Sequence, residues 1–194
     1  MATGAGALPT MPFRDQQDWT TWLAAHHASS PGVWLQIAKK NSGVPSVTYA
    51  EALEVALCYG WIDGQKKGRD DLSWLQKFTP RGPRSIWSKI NRAKAEELIA
   101  SGAMQPAGLV AVEQAKANGQ WDAAYDAQSS ASVPDDLQAA LDESPDAQAF
   151  FATLNSRNRY AILHRIQTAK KPETRARRIA QYVEMLEKGE KLYP

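Results

Sequence analysis

The apolar positions of the front half change period twice. In "DQQDWTTWLAAHHA", Trp19, Trp22 and Leu23 fall at i, i+3 and i+4, which predicts a short amphipathic helix ended by "SSPG". In "GVWLQIAKK", Val33, Leu35 and Ile37 alternate with Trp34, Gln36 and Ala38, the period of a half-buried strand near 32–39. Thr48-Tyr49-Ala50-Glu51 then reads as a capping box, in which hydroxyl and carboxylate each satisfy a free amide of the next helix. Leu53, Leu57 and Trp61 follow on one face at i, i+4 and i+8. Beyond Gly64, "QKKGRDD" and "LSWLQKFTPR" predict two more strands, near 64–71 and 73–79. "SKINRAKAEELIASG" predicts a helix that Gly102 stops.

From Met104 onward the pattern is helical throughout. Helices are expected over 106–118, 135–143 and 145–154, then one long or kinked element from 156 to about 188. Pro134 and Pro145 stand where first-turn prolines belong, with Ser144 as a cap. Ile179, Tyr182, Val183 and Leu186 form a docking stripe, and Arg175, Arg177 and Arg178 fall largely off it. The expected fold class is therefore α+β: a small antiparallel sheet with flanking helices, followed by a mostly helical C-terminal half packed on it. The expected organisation is a flexible lead-in over 1–11, an aromatic-rich α+β region over 12–103 and a helical region over 104–194, the last two forming one compact unit.

The stretch "YGWIDGQ" at 59–65 interrupts this regularity, closing an ordinary helix with two aromatics, one carboxylate and two glycines. It predicts a tight exit from helix into strand, with Gly60 or Gly64 in a conformation closed to other residues. Trp61 is expected inward, and Asp63 within reach of Arg81, Arg84 or an amide of the "PRGPRS" loop. Together Trp61, Asp63, Arg81, Arg84, Ser85, Trp87 and Asn91 form a candidate ligand-binding set: rigid aromatic walls with converging polar groups, and an arginine pair suited to carboxylate or phosphate. The competing reading is scaffolding, with Asp63 pairing an arginine and the tryptophans serving as core.

Other chemistry is poorly represented. His26 and His27 are adjacent, so in a helix they point about 100° apart and do not chelate one ion in the i, i+4 manner. His164 lies among Tyr160, Leu163 and Ile166 and reads as a packing residue. HExxH, GxSxG, Walker and GxGxxG motifs are absent. No metal and no cofactor is expected. Cys58, the single cysteine, sits in an apolar helix without a neighbouring cation, which excludes a disulfide framework and disfavours a nucleophilic role.

With 43% hydrophobic and 23% charged residues, the 194-residue chain has the composition of a soluble protein with a real core. No stretch approaches the roughly 20 apolar residues of a membrane span, and the N-terminus lacks the basic and apolar regions of a secretory signal. A cytoplasmic location is the expectation. The net charge of +2 hides blocks. Residues 65–105 carry 9 Lys and Arg against 4 Asp and Glu, 106–154 carry 1 against 8, and 155–194 carry 10 against 4. Acidic and basic helices packing on each other would account for this, and so would a basic face for an anionic partner.

"GVWLQIAKK", "PSVTYAEALEVALCYGWIDGQ", "FTPRGPRSIWSKIN", "GAMQPAGLVAVEQAK" and "RNRYAILHRIQTAKKPETRARRI" are similar to the bacterial YdeI/OmpD-associated family, also labelled bacteriocin-protection proteins, over about 12–194. The resemblance implies a stress or protection protein linked to resistance against bacteriocins or antimicrobial peptides. It brings no catalytic residue set. Three functions follow as expectations. The first is a protection protein binding a small anionic or peptide ligand without turnover. The second is an enzyme with Asp63 as acid or base. The third is a nucleic-acid binder using Lys66, Lys67, Arg69, Arg175, Arg177 and Arg178, with tryptophans as stacking platforms.

Overall fold

A computed structural model of the chain describes residues 7–128 and 130–194. Residues 1–6 of the expected lead-in lie outside the described residues. The chain divides into two compact units, Met1–Trp87 with Asn91–Asp122, and Ser88–Ile90 with Ala123–Pro194.

The first unit is built on a four-stranded sheet. Its elements are β1 (Thr10–Pro12), α1 (Gln16–His26), β2 (Val33–Ala38), α2 (Tyr49–Cys58), β3 (Trp61–Gly68) and β4 (Ser73–Pro80), followed by α3 (Lys89–Ala100), from Asn91 onward, and α4 (Pro106–Ala117). The strand order is β1-β2-β4-β3. β4 pairs antiparallel with both neighbours, Leu35 lying opposite Gln76 and Asp63 opposite Phe78. The lead-in gives way at Thr10, where β1 adds a parallel edge strand beside β2, Met11 opposite Leu35. Three residues carry no strand signal by themselves. Pairing with β2 is what makes them one.

The alternation in β2 sorts as expected, with Val33, Leu35 and Ile37 buried and Trp34, Gln36 and Ala38 half-buried. The buried set packs with Phe78 against Trp19 and Leu23 of α1 and Ala52, Val55 and Ala56 of α2. Trp19 and Trp22 stack at 5.4 Å, and Trp61 meets both edge-on. Asp15 caps α1 by accepting from the Asp18 amide at 2.8 Å. The capping box of α2 is complete: the Thr48 amide donates to Glu51 Oε2 at 2.9 Å, and the Glu51 amide to Thr48 Oγ1 at 3.3 Å.

α4 docks on the end of α2 at Gly108. A Cβ there would lie 2.3 Å from the Cys58 carbonyl oxygen, so only glycine permits this approach. The same carbonyl accepts from the Gln105 amide at 3.1 Å.

The second unit is helical: α5 (Asp135–Asp142), α6 (Pro145–Thr153), α7 (Ser156–Gln167) and α8 (Pro172–Glu187). Pro145 opens α6 at a first-turn position, whereas Pro134 sits one residue earlier, as the N-cap of α5. Ser144 occupies the N-cap position of α6 without a side-chain cap bond. The long element expected over 156–188 is two helices. Pro172 lacks an amide hydrogen and disfavours helical geometry in the residue before it, so the chain breaks there and restarts with Pro172 in the first turn. α8 packs against α5, α6 and α7. Ile179, Tyr182 and Leu186 enter a core with Leu137, Leu141, Phe151, Ile162 and Ile166, while Val183 is half-buried at its edge.

Candidate functional site

The "YGWIDGQ" segment is a helix exit leading straight into a strand. α2 ends at Cys58, Gly60 takes φ +71°, and β3 starts at Trp61. Trp61 is 1% exposed, and its Nε1 donates to the His27 carbonyl at 3.1 Å. It is a core residue. Asp63 is half-buried on β3, and its carboxylate accepts from Tyr49 Oη, in the first turn of α2, at 2.8 Å. The sequence points to the loop arginines or a loop amide as partners; the hydrogen bond comes instead from Tyr49 on α2. The loop nevertheless meets the motif through its backbone, the Arg81 amide donating to the Gly60 carbonyl at 2.9 Å.

The structure brings Arg81, Ser85 and Trp87 together. The Arg81 guanidinium lies over the Trp87 ring at 3.6 Å and donates to the Ile86 carbonyl at 3.3 Å. Ser85 Oγ accepts from the Gly82 amide at 3.1 Å, and Asn118 Nδ2 donates to the Pro83 carbonyl at 2.8 Å. These residues enclose a cavity of about 10 Å³, enough for a single water. Trp61, Asp63, Arg84 and Asn91 do not line it. Arg84 is exposed, and Asn91 is half-buried in the first turn of α3.

The other residues singled out for chemistry are engaged locally. Lys66 lies over Trp74 at 4.2 Å and Lys67 over Trp34 at 4.0 Å. Arg69 donates to Gln36 Oε1 at 2.7 Å, and Arg178 to the Arg165 carbonyl. Arg177 is exposed on α8. His26 and His27 bond through Nδ1 to carbonyls of their own helix, those of Trp22 and Leu23. Cys58 is buried, and burial pushes its thiol pKa up, with Glu54 adding to the effect, which opposes a nucleophilic thiolate. Among the described residues no group of three or more His, Cys, Asp or Glu could hold a metal, and no helix is long and apolar enough to cross a membrane.

A more spacious concavity lies elsewhere, between α5 and α8. It is a groove of about 720 Å³. Its floor is Ala140 of α5 and Ala176, Ile179, Ala180 and Val183 of α8. The α8 residues recur at i, i+3, i+4 and i+7, so they form one continuous stripe. Carboxylates of Asp136, Glu143, Glu184 and Glu187 stand along the rim, against Arg175 as the one cation of the lining.

Two polar ties join the walls. Arg175 is bidentate to Asp136, Nε to Oδ2 at 2.6 Å and Nη2 to Oδ1 at 2.8 Å. Its hydrogen bonds hold the Asp136 carboxyl below the usual range. At the other end Ser144 Oγ donates to Glu187 Oε1 at 2.7 Å. The ties are 12 residues apart on α8, about 18 Å of helix. Sequence reasoning missed this site. Its signal was the row of small residues, Ala176 and Ala180, beside the docking stripe of α8.

Residues 11–111 match the family model described as a domain of unknown function, DUF8412. Residues 130–189, which include α5 to α8, match the family described as bacteriocin-protection, YdeI or OmpD-associated. The family expected from the sequence is thus found in the second unit. No curated protein and no solved structure matches the chain.

Proposed function

Because the chain belongs to the DUF8412 family through residues 11–111 and carries a YdeI/OmpD-associated segment over 130–189, we propose that it is a protection protein that captures a cationic amphipathic peptide, without turnover, in the α5/α8 groove. One observation carries the reading: an apolar floor about 10 Å long on α8, bordered by carboxylates and set between two ties about 18 Å apart. An amphipathic helix lays its apolar face into such a groove. Its lysines or arginines then meet Glu143 and Glu187, Glu184 being paired with Lys188 at 2.6 Å, and these carboxylates supply steering and orientation more than raw affinity. The ties reduce the entropy lost on binding because the walls are already in place. The description "bacteriocin-protection" fits a peptide ligand, and the proposal includes a cytoplasmic location, which cell fractionation would check.

The test is fluorescence anisotropy with a labelled Leu/Lys amphipathic peptide and a scrambled peptide of the same composition. The amphipathic peptide should bind saturably, more weakly at high salt, while the scrambled one should bind at least tenfold more weakly. Ala180→Trp, on an exposed helix position, should fill the groove and abolish binding without unfolding the protein. Binding that survives Ala180→Trp, or that ignores peptide amphipathicity, defeats the proposal.

A further inference from the structure

A second cavity of the helical unit has the opposite charge. It measures about 280 Å³ and is lined by Arg157, Tyr160, Ala161, His164, Arg165 and Tyr193. Five of these recur along α7 at i, i+3, i+4, i+7 and i+8, so one face of the helix supplies them all. The opposite face, with Ile162, Leu163 and Ile166, is buried.

Tyr193 supplies the sixth wall, and it is fixed in place. Asn158, 1% exposed, donates through Nδ2 to the Tyr193 carbonyl at 3.1 Å and accepts from the Tyr193 amide at 2.9 Å. A buried side-chain amide satisfied by both backbone groups of one residue is a latch that costs free energy to open. It holds the tyrosine ring between the two arginines. The Arg157 guanidinium lies 4.3 Å from the ring centroid, and Arg165 Nη2 is 3.4 Å from the hydroxyl.

The lining contains two guanidinium groups and no carboxylate. Neither arginine forms an ion pair among the described residues. Asp126, whose backbone carbonyl accepts from Tyr160, has its own carboxylate taken by Lys89 and Gln167. The His164 imidazole stands edge-on to Tyr125 at 4.7 Å. Burial, and then the neighbouring Arg165, keep its pKa below the ordinary value.

We propose that this pocket binds a phosphate dianion, either free or as a small phosphomonoester. Two unneutralised guanidinium groups call for two negative charges, which a monocarboxylate does not supply. Phosphate oxygens match the forked donors of arginine, and the Tyr193 hydroxyl and the His164 imidazole can complete the oxygen shell, the Tyr160 proton being given to the Asp126 carbonyl. The volume sits near the lower limit of about 300 Å³ for small-molecule sites, so the ester group must be small. This site shares no residue with the α5/α8 groove, and its test is independent of the peptide reading.

The experiment follows the His164 ring resonances by NMR in the full chain during titration with inorganic phosphate, phenyl phosphate and acetate. Phosphate and phenyl phosphate should shift them saturably and acetate should not. Tighter binding of phenyl phosphate assigns the ester as the source, and equal binding assigns free phosphate. Arg157→Gln, at an exposed position, should weaken phosphate binding about tenfold, the order of one charge-assisted hydrogen bond. Arg165→Gln should do the same, with folding of both variants checked by circular dichroism. Shifts as large with acetate, no saturation with either phosphate, or unchanged affinity in a folded Arg157→Gln protein would each overturn the assignment.

Discussion

Two glycines flank Trp61 to Asp63, and their environments predict opposite outcomes for the same substitution. At Gly60, φ is +71°, and a Cβ would lie 2.7 Å from the Ala107 carbonyl oxygen and 3.3 Å from Ala111 Cβ. The left-handed backbone costs an L-residue about 1–2 kcal/mol. The contact with backbone oxygen cannot be relieved by a rotamer, so the start of α4 must shift, at about 1–3 kcal/mol for overpacking. The less flexible unfolded chain returns about 0.4–1 kcal/mol. Gly60→Ala should therefore destabilise the first unit by about 2–4 kcal/mol. At Gly64 the nearest atoms to a Cβ are side-chain carbons of Lys77, at 3.7 Å, and alanine there should be neutral or slightly stabilising.

Urea denaturation followed by tryptophan fluorescence is the assay, because all seven tryptophans precede residue 122 and lie in the first unit. With an m-value of about 2 kcal/mol/M, Gly60→Ala should lower the midpoint by about 1–2 M while Gly64→Ala leaves it almost unmoved. Equal effects at both positions, or a shift under about 0.3 M at Gly60, would refute the claim that the turn requires a glycine.

Leu186→Ala removes a side chain that is 1% exposed in the second core, and should cost about 2–5 kcal/mol. Hydrogen exchange of the α8 amides reads this directly, and unchanged protection would mean that the helix is not docked through Leu186. The Lys89 hydrogen bond, with Gln167 adding to it, holds the Asp126 carboxyl below its ordinary value. Stability from this depressed group is present above the unfolded pKa near 4 and is lost as pH falls through the folded value. Asp126→Asn should flatten that acid slope of stability, and an unaltered slope would remove Asp126 as its source. The sequence expectation that 12–103 and 104–194 form one unit predicts coincident urea transitions by tryptophan fluorescence and far-UV circular dichroism; separated midpoints would reject it.

What was legible in the sequence was mostly local. The capping box at Thr48 and Glu51 works because its four groups lie within one turn, and the alternation from Val33 to Ala38 reports burial residue by residue. β3 begins earlier than expected, at Trp61 instead of near 64. Trp61 fits both the i, i+4, i+8 stripe of α2 and the inward face of a strand, and periodicity alone cannot separate the two. Of the candidate set from Trp61 to Asn91, Arg81, Ser85 and Trp87 meet while Trp61, Asp63, Arg84 and Asn91 do not line their cavity, for a related reason. Neighbours in sequence alternate in direction along a strand. Trp61 was committed to the core, while Arg81 and Trp87 were aimed by a loop whose shape depends on Asn118, about 35 residues away in the chain.

The groove poses a harder question, because alanine on an exposed helix face has an ordinary explanation: it is the strongest helix former. Propensity accounts for Ala176 and Ala180 one at a time. It does not account for what surrounds them. α8 meets its core through Ile179, Tyr182 and Leu186, and a helix anchored only there could carry lysine or glutamate on its next face at no cost to packing. Instead the apolar stripe continues past the core through Ala176, Ala180 and Val183, and charge appears only at its borders. Arg175 and Glu187, at opposite ends of the stripe, spend their polar groups on Asp136 and Ser144. Long side chains at Ala176 or Ala180 would fill the space that these ties keep open. Width fixed at both ends, an apolar floor and acidic borders together describe a receiving surface better than a solvated one. An amphipathic peptide therefore has more to gain here than at the more conspicuous tryptophans, of which Trp19 and Trp61 are fully buried.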